Sequence, residues 1–259
     1  MEITLEQLFE GKGTRIKNNE YYPTKYYVEP FIERMKDFTN DFRIQVKLPD
    51  QITLTEDKTI NMEDITFNRV WIQAVLPEEF TFDNHDEVVG MIYGIDVRKP
   101  VVKLYRGGLN KACTNLCIFD ANFVECQDFP PESAINFKSI SYLMEQTNTL
   151  KVWLEKLHNT YFNCNDYNIN ESLGKWIRNS IDKSYDSGFG KVKIASSTPI
   201  DAYKLLFKDE NSDYFVKGET TSMFNIYNAF TQLITHDKGR DIMNKCEKTL
   251  LLKRILDID

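Results

Sequence analysis

The chain has little of what marks several common protein classes. No apolar run approaches the roughly 18–20 residues of a membrane-spanning helix. The start, MEITLEQLFEGKG, is acidic and amphipathic, unlike a secretory leader. Cysteine is sparse and odd in number, five in 259 residues without paired spacings. That argues against a secreted disulfide framework and for free thiols in a reducing cytoplasm. Three histidines, no G-x-S-x-G and no Walker-type loop leave a Ser or Cys hydrolase or a P-loop enzyme without its machinery. Positive charge is also short. A net charge of −7 is the wrong sign for a protein that coats nucleic acid with its whole surface, although a local basic patch is compatible with it. Repeats, linker-like runs and low-complexity stretches are missing too.

What is present is a folding sequence. Hydrophobic residues at 42% and charged residues at 27% are close to globular averages, enough for a full core and against wholesale disorder. The densest strand-type sequence lies between Thr66 and Phe119: TFNRVWIQAVL, EVVGMIYGI, VVKLY and CTNLCIF. Before it, Thr4 and Gln7 have capping-box spacing for a short helix ended by Gly11. Pro30 suits the first turn of a helix over FIERMKDF. Tyr21, Tyr22, Tyr26 and Tyr27 read as a loop packed on the sheet. Phe42, Ile44, Val46 and Leu48 alternate as in a half-buried strand. Ile52 and Leu54 begin a shorter strand. A phase change around Asn68-Arg69 suggests a bulge.

Past Pro130-Pro131 the period changes to three and four. Ile140, Leu143, Met144, Thr147, Leu150, Leu154, Leu157 and Tyr161 predict a long amphipathic helix. Asn170 is placed to cap the next helix, Thr198-Pro199 to open a third, and KVKIA to return as a strand. Two helices close the chain. The expected fold is α+β. A mostly antiparallel sheet from the first half (strand-rich 40–130) packs on helices mainly from the second (131–259), in one domain over 1–259.

Five groupings bear on function. From residue 97 to residue 119 there is no acid, while Arg98, Lys99, Lys103, Arg106 and Lys111 are basic, with Gly107-Gly108 permitting close backbone approach. Guanidinium forks, ammonium groups and glycine-freed N–H donors are what a phosphate needs, and Tyr105 could stack on a base. On a strand, however, Lys103 and Tyr105 share one face and Arg106 the other, so turns must gather the cations. The competing reading is a solvated sheet face. Asp83-Asn84-His85-Asp86-Glu87 offers metal-type ligands without converging partners, and a solvated turn is the plainer reading. Pro49-Asp50 with Glu56-Asp57-Lys58 has the residues of a metal-dependent nuclease pattern at too short a gap. Cys113 and Cys117 lack the second pair of a zinc site. In MFNIYNAFTQLITH, Asn228, Thr231, Gln232 and Thr235 line a polar stripe opposite an apolar face, and His236 suits the last turn. The polar stripe offers ligand hydrogen bonds or satisfies its own backbone.

RVWIQAVLP (Arg69 to Pro77), Cys113-Thr114-Asn115 and YNAFTQLITH (Tyr227 to His236) occur in that order. Together they resemble the phage/plasmid-like proteins of the domain-of-unknown-function 932 family. The similar positions are Arg69, Trp71, Leu76, Cys113, Asn115, Tyr227, Asn228, Ala229, Thr231 and His236. GIDVRKP stands where that family tends to have a Ser- and Gly-containing turn. The resemblance implies a phage or other mobile-element setting, and by analogy an accessory or anti-defence role in the host cytoplasm.

The leading expectation is a non-enzymatic, DNA-binding accessory protein, contacting phosphates through Arg98, Lys99, Lys103, Tyr105, Arg106 and Lys111. It carries no cofactor, metal or catalytic residue, and homo-oligomerisation is left open. The alternatives are a protein-binding inhibitor of a host or defence factor, and a metal-dependent nuclease using carboxylates among Asp50, Glu56, Asp83, Asp86 and Glu87.

Overall fold

The structure, a computed structural model, describes residues 3–11, 13–15, 21–22, 24–47, 67, 69–96, 99–110, 116–125, 144–145, 149–186, 191–236 and 242–258. It is α+β, with a five-stranded sheet in the first half and helices mostly in the second. The chain divides into two compact units. One comprises Met1–Thr81, Glu87–Arg106 and Asp120–Thr147; the other comprises Phe82–Asp86, Gly107–Phe119 and Asn148–Asp259. Among the described residues no helix is long and apolar enough to cross a membrane.

In the first unit, α1 (Leu5–Glu10) opens on the expected capping box. The Gln7 N–H donates to Thr4 Oγ1 at 3.2 Å, and the Thr4 N–H to Gln7 Oε1 at 2.9 Å. β1 (Thr14–Arg15) pairs with β2 (Tyr21–Tyr22), so the first two tyrosines are on a strand. Tyr26 and Tyr27 fall in α2 (Lys25–Lys36), which begins before Pro30 and carries it in the interior. The reason is burial. Val28, Phe31, Ile32 and Met35 form one apolar stripe at 0–2% exposure, and its first member lies upstream of the proline. Pro30 costs one hydrogen bond, and the stripe offsets it.

The sheet runs in the order β3 (Phe42–Lys47), β4 (Arg69–Val75), β5 (His85–Asp96), β6 (Lys99–Asn110), β7 (Leu116–Glu125). β3 pairs antiparallel with β4 (Ile44↔Ile72), and β4 with β5 (Trp71↔Ile92). β3 keeps the expected alternation, with Ile44 and Val46 buried and Arg43 and Lys47 exposed. β4 does not. Trp71 and Gln73 are as buried as Val70, Ile72 and Ala74, because a central strand here has both faces covered. The expected shorter strand at Ile52 and Leu54, the bulge residue Asn68 and the nuclease-like Asp50, Glu56 and Lys58 lie outside the described residues.

The second unit gathers α3 (Thr149–Asn159), α4 (Asp166–Asp182), α5 (Ser197–Phe207), α6 (Met223–Thr235) and α7 (Ile242–Leu256) around Leu154, Trp176, Leu206, Phe230 and Leu252. Trp176 meets Phe230 edge-on at 5.5 Å between centroids. The long helix expected to reach Tyr161 ends at Asn159. Tyr161 instead opens β8 (Tyr161–Asn163), paired with β11 (Thr220–Ser222). Asn165, not Asn170, caps α4, its side chain accepting from the Asn168 N–H at 2.8 Å. Ser196 takes the cap position of α5, and Pro199 is buried in its first turn. KVKIA contributes β10 (Lys191–Val192), which pairs with β9 (Tyr185–Asp186) in a separate two-stranded sheet and does not join the larger one.

The end of α7 is tied down by charge. Asp257 adopts φ 52°, a left-handed stop, and takes Lys175 at 2.5 Å and Lys183 at 2.8 Å. Lys183 also donates to the Arg254 carbonyl at the negative end of the helix. Hydrogen bonds from Lys175 and Lys183 hold the Asp257 carboxyl below its usual range. A depressed carboxylate adds stability above the unfolded-state pKa and loses it as pH falls through the folded one. The group is solvent-screened, so Asp257→Asn is expected to cost at most about 1 kcal/mol in urea denaturation at neutral pH. That difference should shrink with added salt and fade as pH drops through the depressed folded value. An undiminished difference in high salt would mean that the lysines do not carry it.

Candidate ligand-binding site

The basic stretch is the first place to look, and its described members are withdrawn from solvent. On β6, Lys103 is 0%, Tyr105 1% and Arg106 1% exposed. This corrects the expectation that they present a phosphate-binding face. Arg106 donates through Nε, and its Nη2 lies against the same Glu87 oxygen on β5. The buried Glu87 carboxyl is pushed up by desolvation, with Arg106 pulling the other way. Tyr105 lies against Gly90 of β5, where an added Cβ would fall on its ring. The ring is therefore engaged within the sheet. Lys99 begins β6, with only its backbone described; Arg98 and Lys111 lie outside the described residues.

The other positions singled out in the sequence fall on different elements. Arg69 opens β4 opposite Lys47 and Gly94, and Asn115 lies outside the described residues. Asn228 and Thr231, expected on a polar stripe of α6, sit in its buried majority. The Thr231 hydroxyl donates to the Asn228 carbonyl at 3.0 Å, and the Thr235 hydroxyl donates to the Thr231 carbonyl at 2.7 Å. These hydroxyls serve their own helix, which lets it be buried nearly all round. His236 is an exposed C-cap.

A different arrangement does converge, in the second unit. Phe82 and His85 exchange backbone hydrogen bonds at 3.0 and 2.9 Å around a two-residue turn. Its central residues Asp83 (φ 48°) and Asn84 (φ 58°) are left-handed, as a primed hairpin turn requires and Asp and Asn tolerate. His85 then points inward at 1% exposure, so the acidic loop is only half solvated. The His85 Nδ1–H donates to the Asp83 carbonyl at 2.6 Å. Burial lowers the His85 pKa, opposed by that hydrogen bond and by the charge of Asp83.

α3 supplies the opposite wall. Leu150, Trp153, Leu154 and Leu157 recur on its buried face, which leaves Lys151, Glu155 and His158 on the other side. The His158 Nε2 lies 2.7 Å from Asp83 Oδ2. An ionised carboxylate only accepts, so Nε2 carries the proton. Phe224 of α6 stacks on the His158 ring at 3.9 Å and meets His85 edge-on at 5.8 Å, fixing both planes. Phe82, Asp83, Glu155, His158 and Asn159 line an open cavity of about 430 Å³.

This lining has an aromatic face, two carboxylates and an oriented imidazole. Lys151 already places its ammonium 5.7 Å over the Phe82 ring and 3.9 Å from Glu155. Aromatic face plus carboxylate is the environment a cation favours. The His158–Asp83 pair can also hold a proton. Among the described lining residues, however, there is no hydroxyl or thiol nucleophile, and among the described residues no cluster of three metal-type ligands exists. Sequence reasoning noticed Asp83 and His85 but missed His158, which lies 75 residues further on. Neither spacing nor periodicity carries a signal for that pairing. Comparison with protein-family models, with curated proteins and with solved structures finds no match to this chain, so the chemistry of this cavity stands on its own geometry.

Proposed function

We propose that this chain is a non-enzymatic protein-binding module of a phage or other mobile element. It acts in the host cytoplasm and recognises a basic segment of a host or defence protein. The burial of Lys103 and Arg106 is the observation that carries this reading. It removes from the surface two of the five cations on which phosphate binding would depend, in a chain whose net charge is −7. An acidic surface complements the nucleic-acid-binding face of a partner and steers its approach. The cavity beside Asp83 and Glu155 then receives one lysine or arginine of that partner, in the position Lys151 occupies in the free chain.

Fluorescence anisotropy with a labelled arginine-rich peptide, in parallel with single- and double-stranded DNA and RNA at low salt, tests the proposal. The peptide is expected to bind and to weaken with salt, and the nucleic acids are not. Asp83→Asn together with Glu155→Gln should weaken the peptide roughly 3- to 10-fold, the scale of exposed charge pairs. Salt-sensitive binding of nucleic acid without the peptide would reinstate the phosphate-contacting role of Arg98, Lys99 and Lys111. Strand cleavage with Mg²⁺ or Mn²⁺ would instead favour the nuclease.

A further inference from the structure

On α3, Lys151, Glu155, His158 and Asn159 recur at three- and four-residue steps, which places them on one stripe of the helix. The last three line the cavity together with Phe82 and Asp83. We infer that this cavity is an arginine site: it selects a guanidinium over an ammonium of equal charge, and His158 makes the distinction. The inference rests on the proposed binding role and names the side chain that role would take.

The lining is rich in acceptors and poor in donors. The His158 Nε2–H is given to Asp83 Oδ2 at 2.7 Å, so the polar atom the ring has left for a ligand is Nδ1, a lone pair. Asp83 keeps its second carboxylate oxygen. Glu155 meets Lys151 at 3.9 Å, an ion-pair distance beyond hydrogen-bond reach. Among the described residues no protein donor reaches His158 Nδ1, Asp83 Oδ1 or the Glu155 oxygens. Phe224 stacks on the His158 ring at 3.9 Å, and with the Asp83 bond at the ring edge it fixes that plane before a ligand arrives.

Lys151 shows what an ammonium achieves here. Its Nζ lies 5.7 Å over the Phe82 ring and 3.9 Å from Glu155, so it supplies charge to both and a hydrogen bond to neither. A guanidinium is flat, stacks on an aromatic face, and carries five N–H donors in a fixed fork with no acceptor of its own. One edge of that fork can meet a carboxylate while another meets the Nδ1 lone pair. The ring face and the charge serve both cations alike. The acceptors serve the guanidinium better. Asp83 and His158 are partly exposed, so water competes for each acceptor and the preference is modest in size.

The test titrates the full chain by fluorescence anisotropy at about pH 8 with three labelled peptides of the same length and charge. Their basic residues are all arginine, all lysine or all asymmetrically dimethylated arginine. The arginine peptide is expected to bind roughly 3- to 10-fold tighter than the lysine peptide, the scale of one modest hydrogen bond. Dimethylation keeps the charge and removes donors, so it should erase most of that margin. In His158→Phe, whose ring can still stack on Phe224 but accepts nothing, the margin between arginine and lysine should close. Equal affinity for arginine and lysine in the native chain, or a margin that survives dimethylation or His158→Phe, would overturn arginine selection and leave the binding role standing. Binding of none of the three peptides would retire both. Should His158→Phe fail to fold, the dimethylated peptide on the native chain decides alone.

Discussion

Arg106→Leu is expected to destabilise the chain by about 3–5 kcal/mol in urea or guanidinium denaturation at pH 7–8, because it strands the Glu87 carboxylate in the interior. Glu87 is 2% exposed and Arg106 1%. The carboxyl is already pushed up by burial, and Arg106 is what restrains it. A raised carboxyl pKa means that the folded chain holds the proton more tightly than the unfolded chain. Its favourable contribution is complete below the ordinary carboxylate range and is lost as pH rises through the folded value. Without Arg106 the carboxyl shifts higher still, so the deficit of the variant should be smaller near pH 5 than near pH 8. Replacing both residues, with Glu87→Leu beside Arg106→Leu, should recover most of the loss, since an apolar pair of similar volume needs no counter-charge. A loss under about 1 kcal/mol for the single variant would match an exposed ion pair. Arg106 would then be available to a phosphate, and the case for an acidic protein-binding surface would lose its support.

Gly90→Ala should be nearly as disruptive, at about 1–3 kcal/mol or more, for a steric reason. A Cβ at Gly90 falls on the Tyr105 ring, which is 1% exposed and has a rigid end that cannot swing aside. Tyr105→Leu frees that space. In the Gly90→Ala background it should therefore cost less than it does alone, with a coupling of about 1 kcal/mol or more in a double-mutant cycle. Strict additivity would show that the tyrosine does not lie on β5 and would free it for stacking on a base. Both variants ask whether the acid-free stretch of β6 is interior structure or display surface.

The sequence marked these residues and misread their setting. Five basic residues without an acid among them look like a ligand face because charged side chains are seldom buried. The compensating acid, Glu87, sits 19 positions before Arg106 in a loop that reads as solvated. Only strand pairing shows that Glu87 and Arg106 meet across β5 and β6. Alternation within DNHDE did contain a hint, since His85 and Glu87 lie on one side of an extended chain and Asp86 on the other. On α6, Asn228 and Thr231 divided the helix into stripes by residue type. The hydroxyl of Thr231 turns back onto its own helix, so a polar stripe could enter the core.

What the sequence determined by itself was short-range. The Thr4–Gln7 capping box, the alternation of β3, the 3–4 spacing of Leu150, Leu154 and Leu157, and the α+β order of elements all depend on neighbours within a few residues. Those preferences are written in composition and period. Tertiary structure decided which strand faces were covered, and with that the fate of Lys103, Tyr105 and Arg106. It also brought Asp83 to His158 and set Phe224 between two imidazoles. Burial and long-range approach are properties of the packed chain as a whole, because whether a charge is solvated depends on what the rest of the polypeptide lays over it.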